Sequence, residues 1–125
     1  STYKYTLQKS GITLYVEDIV FEQKGQSFGD VIGVKYTVVN KAVKDITPLL
    51  KIIVYEKGQD PEGWTTHVLE STGSIVKKGT SLSEDVLTKM TIPSATNPKV
   101  IKFTLFDKTN NLVYMTLNDE ITFME

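Results

Sequence analysis

A hydrolytic triad needs a histidine as its base, and this chain has a single one, His67. It lies in THVLE, where alternation puts Trp64, Thr66 and Val68 on one phase. With that phase turned inward, His67 faces solvent, and no Gly-x-Ser-x-Gly elbow accompanies it. Asp107-x-Thr109-x-Asn111 spaces oxygen ligands as a calcium loop does. It offers one carboxylate, however, without the central glycine or the distal glutamate, and turn chemistry accounts for the same residues. The acid pairs Asp60 with Glu62 and Glu84 with Asp85 read as solvated charges, since nothing around them implies a shared proton or a buried metal. Gly25, Gly29 and Gly33 are evenly spaced, but no helix start follows to aim its amides at a phosphate. With no Cys, thiol catalysis, disulfides and thiolate metal sites are removed together. The chemistry-bearing residues therefore predict no catalytic centre, no cofactor and no metal.

Aromatic residues offer more. Tyr15, Phe21, Tyr36, Tyr55, Trp64, Phe103, Phe106 and Tyr114 are too many for one interior phase. Tyr55 and Trp64 flank the loop KGQDPEG at 57–63, and Phe106 and Tyr114 flank DKTNN at 107–111. An exposed aromatic patch of this kind serves protein interfaces and carbohydrate-binding faces. Trp64 and Tyr55 are the expected partner-binding residues.

The elements that must position them are strands. In DVIGVKYTVVN, Val34, Tyr36 and Val38 alternate with Gly33, Lys35 and Thr37, the two-residue period of a strand with one face in a core. ITLYVEDIVF at 12–21 changes phase at Glu17–Asp18, which predicts a bulge or a strand that crosses between sheets. Pro48 opens LLKIIVYE, a tolerated place for proline because no ladder donor is yet needed. Further strands are expected at 3–7, 64–70, 82–92, 100–106, 112–117 and 120–124, with turns at Ser10–Gly11 and 107–111. A helical stripe through Leu82, Val86, Leu87 and Met90 competes over 82–90, but the Ile92–Pro93 ending favours a strand. About eight or nine strands at this spacing predict an all-β, antiparallel, immunoglobulin-like sandwich, with 1–125 as one domain. The apolar edges at 12–21 and 112–117 are candidates for pairing with a second copy, so a homodimer is expected.

Net charge is −1, without a basic block, which argues against nucleic acid. Apolar runs are strand-length and far short of a bilayer span. The chain starts at Ser1 without an initiator Met, and we expect a leader or membrane anchor ahead of it.

Three stretches carry a resemblance. They are GVKYTVVN with its continuation DITPLLKIIVYEKG, KKGTSLSEDV leading to MTIP, and the hairpin FTLFDKTNNLVY. Together they resemble the membrane-anchored immunoglobulin-like ectodomains of archaeal and bacterial envelope proteins. Size and the absence of Cys are similar to the soluble domain of archaellum stator proteins of the FlaF/FlaG type. The resemblance implies a β-sandwich held outside the membrane by an N-terminal helix, contacting a surface-layer or filament protein and dimerising. It implies no catalytic motif and no binding residues. A second expectation, from a different class, is a carbohydrate-binding accessory domain with Trp64 and Tyr55 coplanar on an exposed face.

Overall fold

The computed structural model describes residues 4–63 and 66–125, without the side chains at 87 and 88. Eight named strands occupy the described chain: β1 (Tyr5–Lys9), β2 (Ile12–Gln23), β3 (Gly29–Asn40), β4 (Pro48–Glu56), β5 (His67–Glu70), β6 (Ser81–Ile92), β7 (Lys99–Asp107) and β8 (Val113–Ile121). They form two antiparallel sheets, ordered β1-β2-β3-β6 and β5-β4-β7-β8. The chain changes sheet between β3 and β4, between β5 and β6, and between β6 and β7. This is the immunoglobulin-like sandwich that the alternation predicts. No helix is long and apolar enough to cross a membrane among the described residues.

Two-residue periodicity does the positioning. Ile12, Leu14 and Val16 of β2 and Val34, Tyr36 and Val38 of β3 turn inward, against Leu50, Ile52 and Val54 of β4 and Ile101, Phe103 and Leu105 of β7. Each such side chain contributes about 1.5–3 kcal/mol by leaving water. The phase change in β2 is a bulge, with the register shifting between Val16 and Asp18, and the strand stays in one sheet. Ser10 and Gly11, at φ 53° and 81°, make the two-residue turn between β1 and β2; left-handed backbone at both positions suits the right-handed twist of the hairpin. Asn111, at φ 59°, supplies the left-handed residue of the β7–β8 turn.

Asn40 ends β3 fully buried, and its side chain ties down the crossing to the second sheet. The amide nitrogen donates to the carbonyls of Lys44 and Val76, each at 2.9 Å, and the amide oxygen accepts the N–H of Ala42. The Ile46–Val76 bridge closes beside it.

Three expectations need correction. Residues 12–16 are not an edge, because β1 and β3 flank them on both sides. The strand expected at 120–124 is the end of β8, which runs on to Ile121; Phe123 and Met124 then leave the ladder and are buried. In β5 the phase is inverted. Val68 points outward at 52% exposure, and His67, opposite Val54, shares the inward phase with Leu69. Residues 82–92 are strand, as the Ile92–Pro93 ending indicates.

Candidate functional site

The outer face of β5-β4-β7-β8 is where the structure departs from a solvated sheet. Along β4 the outward side chains are Lys51, Ile53 and Tyr55. Register sets Ile53 between Val68 of β5 and Lys102 of β7, and Lys51 between Glu70 and Thr104. One step further along, Phe106 of β7 lies opposite Val113 of β8, which is 54% exposed. A solvent-facing strand surface should alternate to polar residues here. Instead Ile53, Val68, Phe106 and Val113 form an apolar floor with two lysines set into it.

The loop after β4 walls this floor. Asp60 Oδ1 accepts the N–H of Glu62, the Asp60 carbonyl accepts the N–H of Gly63, and the Thr66 hydroxyl donates to the Pro61 carbonyl at 2.9 Å. These bonds hold Pro61, Glu62, Gly63 and Thr66 along one side of a groove of about 630 Å³, within the range of ligand-binding clefts. Lys51, Lys102, Thr104 and Asn111 add its polar lining.

The charges here are unevenly matched. Ion pairs among the described residues join Lys24 to Glu22, Lys57 to Glu120, Lys89 to Asp30 and Lys99 to Glu56. Lys108 donates to the Thr72 carbonyl. Lys51 and Lys102 have no such acceptor among the described residues.

Of the expected partner-binding residues, Tyr55 does lie on this face, half-buried and opposite Val100, one step beyond Ile53 and outside the groove lining. Trp64 lies outside the described residues. Sequence reasoning missed Lys51, Ile53, Val68, Lys102, Phe106 and Val113 as a group. The available signal was LLKIIVYE, apolar on both phases, which already denies β4 a fully polar outer face.

The other candidates are held by structural bonds. Asp107 accepts the Thr109 N–H and hydroxyl and the Tyr114 hydroxyl; these bonds, Thr109 first, hold its carboxyl below the usual range. They stiffen the turn and occupy the one carboxylate of the calcium-like spacing. Glu84 accepts from Tyr36 and Ser74, while Asp85 points away to solvent opposite Lys35, so the two acids share no proton. Glu22 O and the Phe21 ring fill the space beside Gly29, which explains a residue without a side chain there. No group of three or more metal-ligating residues occurs among the described residues.

His67 is half-buried, and burial first, then the Lys99 cation, lowers its pKa below the ordinary value, with Glu56 opposing. Lys99 itself is 2% exposed and donates to Glu56 Oε1 and the Ser94 carbonyl, both at 2.6 Å. His67 makes no hydrogen bond to a serine or a carboxylate among the described residues, so no triad is assembled.

No protein-family model and no curated protein matches the chain. Among solved structures, a Bacteroides uniformis β-glucuronidase is similar at a TM-score of 0.62 and 14% identity. The similarity covers 90% of this chain and 13% of that one. A β-glucuronidase from glycoside hydrolase family 2 is similar at 0.57 and 13% identity, over 92% of this chain and 11% of that one. The chain thus spans about an eighth of these enzymes' length. At such identity the likeness concerns the fold, a β-sandwich.

Proposed function

We propose that this domain is a non-catalytic interaction module of a prokaryotic cell envelope. In this reading it binds a surface-layer or filament protein through the outer face of β5-β4-β7-β8, and a segment outside this sequence tethers it to the membrane. One observation carries the binding face, an apolar, lysine-studded groove where a sheet facing water should be polar; the envelope setting rests on the sequence resemblance. Its mechanism is rigid display. The floor sits on paired strands, so a partner meets a preformed surface and little ordering entropy opposes docking.

Two copies join through β8 in this proposal. That strand is an edge of its sheet, and residues 112–118 carry no charge, Pro or Gly to deter pairing.

A second reading, a carbohydrate-binding accessory domain, draws on the likeness to β-glucuronidases and on Tyr55 beside the groove. The two readings separate in one experiment. The domain is used to select ligands from a displayed peptide library and is screened in parallel against a glycan array. Bound ligands are then mapped by amide chemical shifts. Peptides that shift Ile53, Val68 and Phe106, and lose binding in Val68→Asn, support the interaction module. Glycan binding without peptide selection replaces it with the accessory domain.

A further inference from the structure

The two lysines of the groove constrain what it can hold. Lys51 faces Thr104 across the β4–β7 pair, and Lys102 faces Ile53, so the lysines are diagonal neighbours on adjacent strands. Diagonal neighbours stand about 7–8 Å apart. Alternate residues of an extended chain stand about 6.6 Å apart, on the same side. Carboxylates at positions i and i+2 of a strand are therefore spaced closely enough for the two flexible lysine side chains to meet them one to one.

The floor continues the match. Phe106 and Val113 lie one step beyond Lys51 along the strands, and Ile53 and Val68 lie level with Lys102. The line through the two lysines crosses the strands diagonally, so the apolar floor lies to either side of a segment laid along it, Ile53 and Val68 on one side and Phe106 and Val113 on the other. Carboxylates of the domain itself do not close the site. Glu70 lies opposite Lys51 without forming an ion pair, and Glu62 stands in the loop wall.

We infer that the groove binds a short extended acidic polypeptide segment, with two alternate carboxylates on Lys51 and Lys102 and their aliphatic stems against the apolar floor on either side. The inference rests on the reading of this face as the binding surface. Branched aliphatic side chains dominate the floor among the described residues, and they suit apolar side chains better than the flat sugar faces that stack on rings.

The test uses a fluorescently labelled nonapeptide with Glu at two alternate positions in an otherwise uncharged sequence. A twin has Gln in place of both Glu, and an oligoglucuronate serves as the carbohydrate probe. Fluorescence anisotropy is read at low and high salt, with melting curves confirming that each variant is folded. The Glu peptide is expected to bind about five- to tenfold more tightly than its Gln twin at low salt, with the gap closing at high salt. Lys51→Gln combined with Lys102→Gln should abolish the gap, and Glu62→Gln should widen it. Equal binding of the two peptides, lost in Val68→Asn, would overturn the acidic inference and leave the interaction surface standing. Binding of oligoglucuronate with neither peptide held, or binding of no probe at all, would overturn both.

Discussion

On the outer face of β1-β2-β3-β6, the Thr37 hydroxyl donates to Glu17 and lies 2.7 Å from the Ser83 hydroxyl, so a polar row crosses three strands. On the outer face of β5-β4-β7-β8, the central positions are Ile53 and Lys102, flanked by Val68, with no side-chain bond closing Lys51 or Lys102 among the described residues. Both sheets bury the same kind of inner face. The difference lies outside, where the first sheet carries a hydrogen-bonded polar row across three strands and the second a cluster of apolar side chains with two lysines among them. A face of the first kind needs only water; a face of the second kind gains by being covered.

Substitutions can break this contrast, and the largest effect is expected where the first sheet hands the chain to the second. Asn40→Ala leaves the Ala42 N–H and the Lys44 carbonyl without their partner and the Val76 carbonyl with the Ile46 N–H alone, at a cost of about 2–3 kcal/mol in urea unfolding. A loss below about 1 kcal/mol would show that water replaces these bonds freely.

Next comes the buried cation of the second sheet. Glu56→Ala leaves the buried Lys99 ammonium with the Ser94 carbonyl alone and should cost about 2 kcal/mol, less than breaking a fully buried pair because Glu56 is partly solvated. Lys99→Met removes the charge with its desolvation and should stay within about 1 kcal/mol of the parent. If the order of the two variants reversed in calorimetry, the pair would be stabilising on its own account.

The outer faces themselves should differ by less. Thr37→Val should lose about 1 kcal/mol by breaking the polar row, whereas Lys51→Gln should change stability by under about 0.5 kcal/mol. Equal effects would erase the distinction between the faces.

The smallest effect is a pH slope, and it too belongs to the second sheet. The His67 pKa is lowered in the folded state, so the unfolded chain takes up its proton first. Stability is complete above about pH 6.5 and declines as pH falls below it. His67→Gln should flatten that part of the melting-temperature profile. A further decline follows on acidification below the ordinary carboxylate range, as Asp107 loses the charge that Thr109 and Tyr114 stabilise.

How far the sequence could be read follows the same division. Where one phase is apolar and the other polar, as in Val34, Tyr36 and Val38 against Lys35 and Thr37, burial dictates the strand and its orientation. The Glu17–Asp18 phase break marked the bulge, because a one-residue slip would turn the following apolar residues to solvent. Four-residue β5 has apolar residues on both phases, so alternation could not orient it, and His67 and Val68 were exchanged. The end of β8 was misread because buried Phe123 and Met124 continue the apolar pattern after the ladder stops. The groove was less legible still. Aromatic character drew attention to Tyr55 and Trp64, whereas Lys51, Val68, Lys102 and Val113 become neighbours only through the register of four strands. No local window of sequence holds that register.

Asn40 also bears on time as well as on equilibrium. Its bond to the Val76 carbonyl spans 36 residues, so it closes the whole excursion through β4 and β5. Such a contact forms only after the chain has gone out and come back, and loop closure over that length delays it. A latch of this kind, fastened after the transition state, would be felt in unfolding and not in refolding. Asn40→Ala should accelerate unfolding while leaving the refolding rate nearly unchanged, the behaviour of an interaction absent from the transition state. Faster unfolding of that variant would tie the lifetime of the folded sandwich in part to one buried amide on the sheet opposite the groove.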